Sequence, residues 1–173
     1  MPAQGFEATV LSHLDAAFNF ARWLTRNDEE AEDVVQDACV RALRYFSSLR
    51  DDDARAWFFT IVRNTWYTRV SRRPVVAGTG SPDGPHGEPF DEAPDPEAQL
   101  LQQDTVARVR EAIGRLPVEF REVIVLREME GLSYKEIATV VRVPIGTVMS
   151  RLSRARERLL AELKAAADLE ALP

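Results

Sequence analysis

The sequence predicts an all-α chain built as two small helical domains, an N-terminal helical bundle and a C-terminal helix-turn-helix domain, joined by a flexible acidic linker. Three observations predict it. Apolar residues recur at helical spacing through most of the chain, and no useful length alternates as a strand does. Capping and stop residues bracket those periodic stretches. The segment RPVVAGTGSPDGPHGEPFDEAPDPEA, residues 73 to 98, holds 6 of the 10 prolines and 4 of the 8 glycines. It has little apolar content and no period, so it reads as a linker. The expected domains are residues 1–73 and 95–173, with the linker at 74–94.

The first helix is expected over roughly Glu7 to Arg26, with Val10, Leu14, Ala17, Phe18, Ala21 and Leu24 on one stripe. Asn27–Asp28 is a natural N-cap for the second, and Glu29, Glu30, Glu32 and Asp33 lie near the positive end of its dipole. Its stripe is Ala31, Val34, Val35, Ala38, Cys39, Ala42 and Phe46. The acidic run Asp51–Asp53 can cap a third helix that reaches about Arg73, where Pro74 helps to stop it. Beyond the linker, Asp95–Pro96 reads as an N-cap with proline at the first helical position, opening a helix to about Arg115. Pro117 starts another, which Gly131 ends. Ser133 and Glu136 have capping-box spacing for a short helix, residues 134 to 141. A tight turn at Arg142–Val143 leads to Pro144 and a last helix to about Ala167.

Composition narrows the function. The chain has 173 residues, 45% of them hydrophobic, enough for packed cores. No apolar run approaches the ~20 residues of a membrane helix. The start MPAQGFEATVLSHLD lacks the basic region and apolar core of a secretory signal. A cytoplasmic protein with no membrane insertion is expected. Cys39 is the only cysteine, which excludes an internal disulfide and reads as a small core hydrophobe. His13 and His86 read as surface residues, and no metal site is expected from two histidines and one cysteine. Nothing resembles a glycine-rich phosphate loop or a nucleophile–base signature, so neither enzyme activity nor a cofactor is expected.

The net charge of −6 conceals a local pattern. Residues 1–53 carry 5 basic and 11 acidic side chains. Residues 54–73 carry 5 arginines and no acid, and residues 74–103 carry 6 acids and no Lys or Arg. Residues 133–164 carry 7 basic and 3 acidic side chains. Local patches of this kind, not net charge, decide where a phosphate backbone can sit.

Three stretches carry the chemistry. In SYKEIATVVRVPIGTVMSRLSRARERL a capped short helix, a tight turn and a second helix make a helix-turn-helix. Val148, Leu152, Ala155 and Leu159 form a stripe that can pack on Ile137, Ala138 and Val141. The stripe leaves Thr147, Met149, Ser150 and Arg151 where base edges would lie, and Arg154 and Arg158 where phosphates would lie. A basic helix alone is usually a solvated amphipathic one; the three-part pattern is what points to DNA. The second stretch, DARAWFFTIVRNTWYTRVSRRP, mixes arginines with aromatics. Rings that stack on bases beside cations suit single strands, and rings at helical spacing equally suit a core. Trp57, Phe58 and Ile61 are assigned to the core; Phe59, Asn64, Trp66 and Tyr67 are less easily placed inside. In the third, EEAEDVVQDACVRALRYF, Asp33, Gln36, Asp37, Arg41 and Arg44 make a polar face that, taken alone, is a solvated one.

In the order DVVQDACVRALR, ARAWFFTIVRNTWYTRVSRR, acidic linker and LPVEFREVIVLREMEGLSYKEIATVVRVPIGTVMSRLSRARERL, the chain resembles the bacterial extracytoplasmic-function sigma factors, the minimal two-domain class of the sigma-70 family. The resemblance covers nearly its whole length. It implies a non-catalytic subunit that binds core RNA polymerase and reads −10 and −35 promoter elements. By the resemblance, Asp33, Gln36, Asp37, Arg41 and Arg44 dock on the clamp helices of the largest polymerase subunit, and the C-terminal domain meets the flap. The −10 element falls to Arg55, Phe59, Arg63, Asn64, Trp66, Tyr67 and Arg69, which must offset the unstacking cost of a flipped base. Asn64 falls on the family's Arg-Asn pair. The −35 element falls to Ser133, Lys135, Thr147, Met149, Ser150, Arg151, Arg154 and Arg158. Met149 stands where many relatives have Lys or Arg, so an apolar contact to a thymine methyl replaces a charged one. The linker would run through polymerase toward the RNA exit channel, and no further module is expected after residue 173. Promoter DNA, core polymerase and an anti-sigma factor covering both domains are the implied partners. The alternative is a sigma-like decoy that binds an anti-sigma factor without touching DNA; a decoy would be expected to lose the arginines that the last helix keeps.

Overall fold

The computed structural model describes residues 2–50, 53–73 and 96–172, with the backbone alone for 2–4 and 96–102. Asp51, Asp52, Pro74, the linker, His86 and the expected cap at Asp95 lie outside the described residues. The described elements are all helical. Before the linker come α1 (Pro2–Thr9), a 3-10 turn (Leu11–His13), α2 (Leu14–Thr25), α3 (Asp28–Tyr45) with a further 3-10 turn (Phe46–Ser48), and α4 (Ala54–Arg72). After it come α5 (Pro96–Arg115), α6 (Val118–Ile124) with a π-helical continuation (Val125–Met129), α7 (Tyr134–Val141) and α8 (Ile145–Glu170).

The expected caps form where they can be seen. Asn27 Oδ1 accepts from the Glu30 N–H at 2.9 Å, and Asp53 Oδ1 accepts from the Ala56 N–H at 3.3 Å. Each satisfies an amide that the helix itself leaves without a partner. The first expected helix is two, a correction with a packing reason. Phe6 of α1 meets Phe46 edge to face at 5.5 Å beyond the end of α3, while α2 lies along α3. One straight helix cannot do both, so the 3-10 turn at Leu11–His13 bends the chain around the buried Val10.

Helices α2, α3 and α4 pack on one another, and α4 also packs on α7, while α2 packs on α6. The N-terminal bundle and the C-terminal domain therefore share one apolar cluster, from Phe6 to Ala155. In the C-terminal domain Val148, Leu152 and Ala155 are buried as the stripe requires, and Leu159 is half-buried. Gly131 adopts φ +67°, a left-handed conformation that costs an L side chain more than glycine, and ends the α6 segment. Arg108 to Glu170 at 2.8 Å and Arg115 to Glu162 at 3.5 Å tie α5 alongside α8. Among the described residues no helix is long and apolar enough to cross a membrane.

Helix α4 overturns part of the sequence reading. Its neighbours lie on three sides, so its buried set is not a stripe: Ala56, Phe58, Phe59, Val62, Thr65 and Trp66. Phe59 is 1% exposed and packs edge to face on the buried Phe20 at 5.4 Å; Trp66 is 5% exposed and meets Tyr67 at 4.7 Å. Neither ring is open to a base in this arrangement, which corrects their assignment as stacking partners. Trp57 and Ile61, assigned to the core, are half-buried against its edge.

Phe59→Ala leaves a cavity in this core. Urea unfolding should show a loss of about 3–5 kcal/mol, where a surface ring would cost under ~1 kcal/mol.

Candidate nucleic-acid interface

The helix-turn-helix is fixed by local chemistry. Ser133 Oγ accepts from the Glu136 N–H at 3.1 Å, and Glu136 Oε2 accepts from the Ser133 N–H at 2.6 Å, a reciprocal capping box at the start of α7. Burial alone would push the Glu136 carboxyl up, but the hydrogen bonds from Ser133 and the charge of Arg55 hold it below its ordinary value. Arg142 ends α7 in the left-handed region at φ 57°, and the Val143 N–H donates to Ala138 O at 3.3 Å. Pro144 then opens α8.

The residues expected to face DNA do face outward. Met149 is 53% exposed; Ser150, Arg154, Arg158 and Lys135 are exposed, and Thr147 and Arg151 are half-buried. Ser150 Oγ donates to Thr147 O at 3.0 Å, and the Arg158 guanidinium lies 4.7 Å from the Phe120 ring centroid. Arg156 on the flank is tied to Glu128 at 2.8 Å.

The second basic block behaves differently, because the C-terminal domain lies against it. Arg63 Nε and Nη2 donate to Glu122 Oε2 and Oε1 at 2.8 and 3.0 Å, a bidentate fork. The same guanidinium lies 4.4 Å from the Tyr67 ring centroid, and Tyr67 OH donates to Glu122 Oε2 at 3.4 Å. Glu122 is 1% exposed. Burial pushes its carboxyl above the ordinary range, against the pull of Arg63 and the weaker pull of Arg151. Burial and the Glu122 charge likewise push the Tyr67 phenol up. Arg55 Nη1 donates to Glu130 O at 3.1 Å, and its Nη2 lies 3.8 Å from Glu136. Asn64 is half-buried. Arg69 turns the other way, to Asp37 at 2.6 Å and Asp33 at 3.7 Å on α3.

On α3, Asp33, Gln36, Asp37 and Arg44 are exposed and Arg41 is half-buried. The sequence reading missed two members of this surface. Val40 is 56% exposed and Leu43 is similarly open. The signal is available, since Val40 follows Asp33 by seven residues and Leu43 follows Gln36 by seven; neither lies on the apolar stripe of α3, and the outer face as read counts its charged and amide residues alone.

With this geometry in view, comparison decides the family. The sigma-70 region 2 model matches residues 9–74, and the sigma-70 region 4 model matches residues 107–159. The RNA polymerase sigma-H factor of Pseudomonas aeruginosa is 33% identical over 165 residues, covering 90% of this chain and 84% of that protein. The chain is an extracytoplasmic-function sigma factor of the sigma-70 family. The sigma-E factor of Escherichia coli is 36% identical over 137 residues, covering 75% of this chain and 72% of the relative. Among solved structures, the sigma factor RpoE of Bartonella quintana, in complex with the anti-sigma factor NepR, superposes with a TM-score of 0.75 at 30% identity. That likeness covers 93% of this sigma factor and 98% of the other chain. CnrH in complex with the cytosolic domain of CnrY gives a TM-score of 0.65 at 28% identity, over 94% of this chain and 90% of that one.

Ser133→Ala removes one half of the capping box. The expected loss is about 1 kcal/mol in thermal unfolding, with faster amide exchange at Glu136.

Proposed function

We propose that this sigma factor joins core RNA polymerase in the bacterial cytoplasm and directs initiation at promoters with −35 and −10 elements, under the control of an anti-sigma factor. The observation that carries the reading is the outer face of α8. Met149 and Ser150 stand open at its N-terminal turns, Arg154 and Arg158 stand open further along, and Val148, Leu152 and Ala155 are buried behind them. A second helix so oriented enters a major groove with its first turns on base edges and its later cations on phosphates.

The −10 reading rests on Arg55, Arg63, Asn64 and Tyr67 of α4. Phe59 and Trp66 serve that surface from beneath, as its packing. The polymerase reading rests on α3, where the exposed Val40 and Leu43 lie among Asp33, Gln36, Asp37, Arg41 and Arg44. A protein interface draws its energy from an apolar centre and its orientation from a polar rim, and this face has both. The control by an anti-sigma factor is supported by the likeness to the Bartonella quintana sigma factor solved with such a partner. The decoy reading accounts poorly for the exposed arginines of α8.

Purified protein with core polymerase should initiate from a −35/−10 promoter and not from scrambled DNA; failure to bind core would sink the proposal. Within the holoenzyme, Arg154→Ala should weaken promoter binding across sequences and lower the salt slope by about 1, whereas Arg151→Ala should cost about 1–3 kcal/mol and relax preference at one base pair. Unchanged salt dependence in Arg154→Ala would favour the decoy. Val40→Asp with Leu43→Asp should weaken core binding at least ~10-fold, read by fluorescence titration against core polymerase, with promoter contacts untouched.

A further inference from the structure

Two of the arginines proposed to read the −10 element are already engaged, and the acceptors come from the other domain. Arg63 gives both arms of its fork to Glu122, and Arg55 donates to the Glu130 carbonyl with Glu136 close by. Tyr67 closes over the same pair, donating to Glu122 while its ring lies against the Arg63 guanidinium. A planar guanidinium offers a phosphate the same two parallel N–H groups that it offers a carboxylate. Glu122 therefore stands where a nucleic-acid phosphate would compete for Arg63.

We infer that Glu122 clasps Arg63 and Tyr67 in the free chain and so keeps the nucleic-acid face of α4 covered until the two domains part. The inference rests on the reading of α4 as a −10 reader. The domain boundary is suited to parting. Besides its apolar contacts it is joined by ion pairs and hydrogen bonds: Arg63 with Glu122, Arg55 with Glu130 and Glu136, and Asn19 Nδ2 donating to Glu130 Oε1 at 2.9 Å. Each of these groups finds water when the domains separate. The closed state punishes the loss of one member far more than the open state does, because a charge left buried without its partner has no solvent to turn to. Glu122 is the deepest of them, so it holds the closed state in register. The fork supplies a contact for closure within one chain.

The test uses the full-length protein, free of polymerase, with two variants: Glu122→Gln, which keeps the shape and removes the charge, and Glu130→Ala, which cuts the bond to Asn19 at the rim. Far-UV circular dichroism checks that both remain folded. Small-angle scattering reads closure, and anisotropy with a fluorescein-labelled single-stranded 20-mer of mixed sequence reads access to α4. The closed wild type should have a radius of gyration near ~16 Å and bind the strand weakly. Glu122→Gln should shift the closed–open balance by roughly a hundredfold, seen as a larger radius and a strand affinity at least several-fold higher. Glu130→Ala should move both readouts the same way by less. An unchanged radius in both variants would overturn the clasp. A larger radius with no gain in strand binding would keep the closure but overturn the masking, and with it the reading of α4 as a nucleic-acid face.

Discussion

The relation between the two domains depends on one carboxylate. Glu122 of α6 has almost no solvent contact, and the only cation it meets at bonding distance is Arg63 of α4 among the described residues. Such a pair gains little over an apolar contact of equal volume, because two charges must first leave water. What it supplies is selectivity. A docking that separated Glu122 from Arg63 would strand a buried charge, which disfavours other registers for the apolar surfaces of α2, α4, α6 and α7. Tyr67 completes the arrangement, since its ring covers the guanidinium and its hydroxyl supports the carboxylate.

The charge layout of the sigma factor follows a division of labour. Acids concentrate on the outer face of α3, where the proposed partner is protein, and arginines concentrate on α4 and α8, where it is nucleic acid. The two kinds of surface also neutralise each other within the chain. Arg69 is held by Asp37 and Asp33, and Arg73 by Glu30. These exposed pairs contribute little stability. They orient long side chains near surfaces that partners would otherwise find disordered. The helix-turn-helix has no such internal partner on its outer face at Arg154 within the described contacts, and its geometry comes instead from the backbone: a capping box, a left-handed residue at Arg142 and a proline at the start of α8.

Local rules were legible in the sequence. Asn27, Asp53, Ser133 with Glu136, Gly131 and Pro144 all act as their positions suggested, because a cap or a positive φ involves atoms only a few residues apart. The stripes of α3 and α8 were legible for a similar reason: each helix buries one face, and one buried face imposes a period of 3.6. The polar face of α3 and the outer face of α8 followed by subtraction. The apolar members of the α3 surface, Val40 and Leu43, did not, since hydrophobicity in a sequence does not say whether the side chain meets its own core or someone else's.

By itself the sequence determined an all-helical fold, the capped starts of α3, α4 and α7, a helix-turn-helix with its outward residues, and the family, but not the break between α1 and α2. Tertiary structure alone decided α4. With neighbours on three sides it has no single buried stripe, so Phe59 and Trp66 went inside although the sequence reading placed them less easily there and gave them to the −10 element, and Trp57 moved to the edge. It also decided that Arg55 and Arg63 meet Glu130, Glu136 and Glu122, at separations of 59 residues or more along the chain. The physical reason is the same in both cases. Spacing along one helix encodes which residues share a face, but how many faces are covered, and by what charge, is set by segments far away in sequence.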